Sequence, residues 1–195
     1  MGIIEIVLET NANERTHYLP HRAVFKECST TKIRPVFDAS NKDENGSSLN
    51  DCLEVGPNVV DLIPIVLIIF RIYAIALSSD IEKAFLQIEI NPEDRDFLRF
   101  LWWEKGNIVE FRYCRVVFGV YCSPFLLSAC LNNLLENPPE HLSKIAKKLK
   151  GTFYMDNSLT GVSKEEEIES HINKATLLMS TAGFNLRGWK SSRFE

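Results

Sequence analysis

None of the five cysteines (Cys28, Cys52, Cys114, Cys122, Cys130) stands in a Cys-x-x-Cys pair, and their number is odd. A disulfide framework and a thiolate zinc site are therefore not indicated, and the thiols read as buried or incidental in a reducing compartment. His17 and His21 have a spacing that binds zinc on a helix, but Pro20 breaks a helix there and no second pair completes the site. A signal peptide is not apparent, and "MGIIEI" fails the myristoylation pattern because Ile6 stands where Ser or Thr is needed. Long hydrophobic runs are also missing. The longest, Leu62 to Leu77, is too short for a membrane span and is broken by Pro64 and Arg71. Internal repeats and low-complexity tracts are absent.

An overall basic excess is lacking too. The net charge is -4 and the pI near 5.7, which carries no global signature of a nucleic-acid binder. Basic groups are nevertheless unevenly placed. They outnumber acids between Arg15 and Lys42, and "KIAKKLK" (144–150) holds four lysines and no acid. Such strips read first as solvated helix faces and second as phosphate contacts.

What is present is enough apolar material for a core. With 195 residues and 45% hydrophobic content, one compact domain or two small lobes is expected. The first sixteen residues show no clear pattern. "HRAVFKE" and "KIRPVFDAS" read as strands joined by "CSTT" in a hairpin, and "NKDENGSSLND" is loop composition. Val59 to Phe70 reads as a helix and "YAIALSS" as a buried strand ending at Asp80. Two further strands, "DFLRFLWW" and "IVEFRYCRVVF", flank the turn "EKGN". Ser123 opens a helix to about Glu136, with Pro124 at the favoured first position, and Pro138 and Pro139 end it. A lysine-rich helix follows from about His141. "GTFYMDNSLTGV" reads as a hairpin around "MDN", Glu165 to Thr181 as an amphipathic helix, and "GFNLRGW" as a closing strand. The mixed order indicates an α+β domain.

Chemistry concentrates at two strand ends. A single Asp there ordinarily caps a turn. Asp80 and Asp156 together become a candidate site for a hard cation if their strands are neighbours, since such ions take oxygen ligands. A pair of these ions activates an attacking hydroxyl and stabilises the leaving oxygen in phosphoryl transfer. Asn157, next to Asp156, has a plainer reading as a turn residue, because Asn tolerates positive backbone dihedrals.

"LSSDIEKAFLQIEI", "RVVFGVYCSPFLLSACL" and "FYMDN" stand in the order and approximate spacing of reverse transcriptase motifs. Together with "YLPHRAVFKECSTTKIRPVFDAS" and "GSSLNDCLEVGPN", they make residues 17 to 190 resemble the polymerase of Pao/BEL-type LTR retrotransposons. The resemblance implies fingers over 17–72 and a palm over 73–195, with a fingers-like strand insertion near 96–117. Residues 1–16 would be an N-terminal remnant, and thumb, connection, RNase H and integrase are expected to be absent. The palm would be a split βαβ, ferredoxin-like antiparallel sheet with helices on one face.

The same resemblance implies an RNA-directed DNA polymerase using Mg2+ or Mn2+, deoxynucleotide triphosphates and an RNA or DNA template with primer. It implies no membrane and a cytoplasmic or retrotransposon-particle location. The alternative reading is a degenerate, inactive module with at most weak nucleic-acid binding. Asp80 would be the first catalytic carboxylate, with the Ile81 carbonyl as a further metal ligand and Asp156 as the second carboxylate. Phe85, five residues after Asp80, matches the steric gate against ribose, and its other reading is a core aromatic. Lys32 and Arg34 match residues that hold the incoming triphosphate, with Lys26 as a second candidate for the lysine. Gly119, Ser123 and Pro124 match the turn and helix beneath template and nucleotide. Tyr154 would lie beside the primer end, and Lys190 near the triphosphate. Asn157 departs from the pattern, which has a carboxylate there. Its neutral oxygen contributes no charge, so catalysis should be impaired.

Overall fold

The structure is a computed structural model that describes residues 2–8, 15–25 and 33–193. In chain order the strands are β1 (Ile4–Ile6), β2 (His21–Phe25), β3 (Ile33–Phe37), β4 (Ile75–Ile81), β5 (Arg99–Glu104), β6 (Asn107–Tyr113), β7 (Phe153–Tyr154), β8 (Asn157–Val162) and β9 (Leu186–Ser191). The α-helices are α1 (Ile63–Ile72), α2 (Ser123–Glu136), α3 (Ser143–Leu149) and α4 (Ile168–Ser180). These described residues divide by packing into two compact units, 1–55 with 88–123 and 56–87 with 124–195.

The second unit is built on an antiparallel sheet of order β7-β8-β4-β9. Strict alternation along β4 makes its two faces. Ile75, Leu77, Ser79 and Ile81 are buried, while Ala76, Ser78 and Asp80 are half-buried on the opposite side. On the buried face Ile75, Leu77 and Val162 pack with Ile168 of α4, backed by Ile172 and Trp189. The apolar spacing of α2, with Leu127, Leu131, Leu134 and Leu135 buried, is the helical periodicity that its sequence shows. α3 buries Ile145, Ala146 and Leu149 and leaves Lys144, Lys147 and Lys148 exposed. One of these lysines, Lys148, sits over the Tyr73 ring at 5.8 Å. No helix among the described residues is long and apolar enough to cross a membrane.

In the first unit, β2 pairs antiparallel with β3, His21 opposite Phe37, as the two β-rich runs predict. The runs around "EKGN" form β5 and β6, and the turn carries positive φ at Lys105 (49°) and Gly106 (87°), the signature of a tight hairpin. Three expectations change. The strand read as "IVEFRYCRVVF", through Phe118, ends at Tyr113. Ile4–Ile6, without a legible pattern, is a strand on β6, because three residues show no periodicity and the pairing partner makes the strand. Asp96 to Leu98, expected as strand, closes a 3-10 helix over Pro92–Leu98 that Asn91 caps.

That helix serves an ionic network. The guanidinium of Arg99, 1% exposed, donates from Nε to Asp96 at 2.8 Å, and Arg112 reaches Asp96 at 2.8 Å and Glu5 at 2.7 Å. Burial by itself would raise the Asp96 carboxyl, but its hydrogen bonds from Arg112 and Arg99 hold it below the ordinary carboxylate range. A charge buried this deeply is tolerated only when paired.

Candidate active site

Asp80 and the "YMDN" hairpin meet because β4 and β8 pair directly, with Asp80 opposite Asn157. The register continues on both sides. Tyr154 of β7 faces Asn157, and Arg187 of β9 faces Asp80. Tyr154, Asn157, Asp80 and Arg187 thus form one cross-strand row on the sheet face opposite the α4-packed core. Side chains so paired lie roughly 5 Å apart at Cβ. Asp156 belongs to the turn beside this row, and its backbone carbonyl accepts from the Ile81 N–H at 2.7 Å. Two strand-end carboxylates, distant in sequence, therefore share one end of one sheet.

The turn gives Asn157 a different part from the plain turn-residue reading. The positive φ falls on Met155 (52°), and Asn157 is already the first residue of β8. Asn157 therefore meets no left-handed backbone requirement. Its amide Nδ2 donates to Asp156 Oδ1 at 3.1 Å. A carboxylate at 157 would lose that hydrogen bond and add like-charge repulsion.

Sequence reasoning missed Arg187. Its Nε donates to Asp80 Oδ2 at 3.0 Å and its Nη1 to Glu82 Oε1 at 2.9 Å. Glu82 also accepts from Asn185 Nδ2 at 2.9 Å. The signal was the glycine inside the closing strand "LRGWK", since an isolated strand Gly marks a bulge. The register does shift between Ser78 and Asp80, and Gly188 has φ +61° there. Nothing in the alternation of "GFNLRGW" alone shows which residue then faces Asp80.

The other expected residues are placed as follows. Ile81 is buried in β4 beside Asp80. Phe85 is 5% exposed, on the 3-10 helix Ala84–Gln87. Tyr154 is half-buried in the row, and Lys190 is exposed opposite Ser78, one row further along the same face. Gly119 has φ +96°, and a Cβ there would stand 2.7 Å from the Phe37 carbonyl, so only Gly fits. Asn50 ties that turn by donating to the Gly119 carbonyl at 3.0 Å and accepting from the Tyr121 N–H at 2.9 Å. Ser123, 2% exposed, donates its hydroxyl to the Val117 carbonyl at 2.8 Å. Pro124 follows as the second residue of α2, whose bounds agree with the sequence reading. Arg34 is in β3, its backbone opposite Val24. Lys26 and Lys32 lie outside the described residues.

The donor set around Asp80 suits a hard divalent cation. Asp80 and Asp156 offer carboxylate oxygens and Asn157 a neutral amide oxygen, with no sulfur or imidazole among them. Among the described residues there is no group of three or more His, Cys, Asp or Glu able to hold a metal. Here the Asn157 amide is bonded to the Asp156 carboxylate and the Arg187 guanidinium to that of Asp80.

The sequence profile of the reverse transcriptase (RNA-dependent DNA polymerase) family matches residues 66–195. No curated protein sequence gives a match. Among solved structures, the native protease-reverse transcriptase of prototype foamy virus aligns with 95% of this chain at a TM-score of 0.66 and 18% identity. The foamy viral protease-reverse transcriptase dRH in complex with double-stranded DNA aligns with 95% at a TM-score of 0.63 and 17% identity. The chain covers 21% and 27% of those two proteins, respectively. Their likeness carries the fold: an α+β arrangement of antiparallel sheets and helices of the reverse transcriptase type. With two thirds of its length matched by the family profile and Asp80 set against the "YMDN" hairpin, the chain belongs to the reverse transcriptase family.

Proposed function

We propose that the chain is the fingers and palm of an RNA-directed DNA polymerase, extending a primer 3′-hydroxyl with deoxynucleotides on an RNA or DNA template. The observation that carries this reading is the pairing of Asp80 with Asn157, which puts Asp80 and Asp156 at one sheet end in a chain of this family. Asp80 and Asp156, with the Ile81 carbonyl, are the residues that would hold Mg2+ or Mn2+. The ions supply activation of the attacking hydroxyl and neutralisation of phosphate charge. Tyr154, in the same row, would lie along the primer end. Gly119, Ser123 and Pro124 would support template and nucleotide from the turn that Asn50 secures. Arg34, with Lys32 or Lys26, would hold the triphosphate, a guanidinium bidentately and a lysine as a point charge. Affiliation with the Pao/BEL type rests on the motifs quoted above.

One observation favours a second reading, a binding module without catalysis. Both carboxylates already accept hydrogen bonds from within the chain, Asp80 from Arg187 and Asp156 from Asn157. The two readings separate in a primer-extension assay with the chain on a primed template, in Mg2+ and in Mn2+. Templated addition is the expected result. A folded chain that binds primer–template and adds nothing supports the second reading and overturns the first.

Phe85 makes the sugar testable. If its ring crowds a ribose 2′-hydroxyl, Phe85→Val raises the ratio of ribonucleotide to deoxynucleotide incorporation by at least about tenfold, a discrimination of roughly 1.4 kcal/mol. An unchanged ratio with a lower melting temperature assigns Phe85 to the core alone. Its 5% exposure makes some destabilisation expected in either case.

A further inference from the structure

We propose that Arg187 is a positioning residue for Asp80: an internal cation that seats the first carboxylate and competes with the divalent ion for it. The inference rests on the metal reading of the site given above. Four observations support it, all within the second unit.

The first is register. Between Ser78 and Asp80, β9 contains one residue more than β4, since Ser78 faces Lys190 while Asp80 faces Arg187. Unbroken pairing would have set Asp80 opposite Gly188. The extra residue, with Gly188 at φ +61°, is a bulge of the kind that re-aims a side chain. Here it brings a guanidinium to the carboxylate.

The second is shape. A Cβ at Gly188 would stand 2.6 Å from Asp80 Oδ1, so the carboxylate occupies the space that a side chain would fill. Oδ2 is bonded to Arg187 Nε at 3.0 Å. Arg187 thus bonds one oxygen of Asp80, and the missing side chain at Gly188 leaves room for the other.

The third is the fork. Arg187 spans Asp80, near the end of β4, and Glu82, in the turn that follows that strand, and Asn185 bonds the Glu82 carboxylate as well. The rigid guanidinium suits this double contact, whereas a lysine offers one point charge.

The fourth is magnitude. The side chains of Arg187 and Asp80 are 53% and 41% exposed, which makes the pair weak enough for a divalent ion to displace. Since Arg stays charged at all working pH values, this competitor is always present. The result is a site whose cation requirement is set partly by the chain itself.

The test is Mn2+ binding to the purified chain, followed by the electron paramagnetic resonance signal of free Mn2+. Arg187→Gln should tighten Mn2+ binding about two- to fivefold, the effect of removing one exposed ion pair. Arg187→Lys should fall between the parent and Arg187→Gln, because a lysine cannot span both carboxylates. In an Asp80→Asn background the gain from Arg187→Gln should vanish. Binding that depends on Asp80 but is unchanged or weakened in Arg187→Gln overturns the role of Arg187 and leaves the metal reading standing. Binding that ignores Asp80 in every variant overturns both.

Discussion

Asn157→Asp should accelerate Mg2+-dependent or Mn2+-dependent primer extension by about 10²–10³-fold, equivalent to roughly 3–4 kcal/mol of transition-state stabilisation. The reasoning is local. Asn157 stands in the row beside Asp80, and its amide donates to Asp156. A carboxylate there adds one negative charge where divalent ions and a triphosphate have to be organised, and the backbone need not move because Met155 alone carries the positive φ. The same substitution should destabilise the chain in chelator, through the lost hydrogen bond and repulsion from Asp80 and Asp156. Added Mg2+ should restore that stability, as a ligand of the native state does. Single-turnover extension by both versions, with melting curves in Mg2+ and in chelator, reads both effects. Equal rates would show that the amide oxygen suffices as a ligand. Asp80→Asn should abolish whatever extension either version performs, and extension that survives it would put the metal site elsewhere.

The second large effect is acid sensitivity centred on His171. This histidine is buried at 3% exposure in α4, 3.5 Å from Thr160 Oγ1 by its Nε2 and edge-on to Trp189. Burial, assisted by the nearby charge of Lys148 and opposed by Glu167, pushes its pKa from 6.5 down to about 4. The unfolded chain therefore binds the extra proton between those values and the folded chain does not. Stability from this group is complete above pH 6.5 and is lost as pH falls towards 4. The shift corresponds to roughly 3 kcal/mol at most. Urea unfolding at pH 7 and at pH 4.5 should show the parent losing clearly more stability than His171→Gln, which cannot titrate. Equal losses in the two proteins would assign the acid sensitivity of this pH window to groups other than His171; Asp96 and Glu5, whose hydrogen bonds from arginines outweigh burial and hold them below the ordinary carboxylate range, lose their contribution only at lower pH.

Periodicity carried most of the element assignments because each depends on near neighbours. The alternation in "YAIALSS", the Ser-Pro start of α2 and the tight turn at Lys105 and Gly106 are local preferences that survive packing. Where packing decided, the sequence was silent or misleading. Ile4–Ile6 is a strand only because β6 lies beside it, and Asp96 left the strand pattern to serve two arginines.

The candidate site divides in the same way. Its chemistry was legible by itself: Asp80 and Asp156 at strand ends, the amide at Asn157, and the family to which their motifs belong. Tertiary structure alone decided which strand lies on which side of β4, and hence that Asp80 faces Asn157 on one side and Arg187 on the other. No residue-by-residue pattern records such a register. It results from hydrogen bonding between segments far apart in the chain, and here a single glycine bulge exchanged the neighbour of the key carboxylate for a cation.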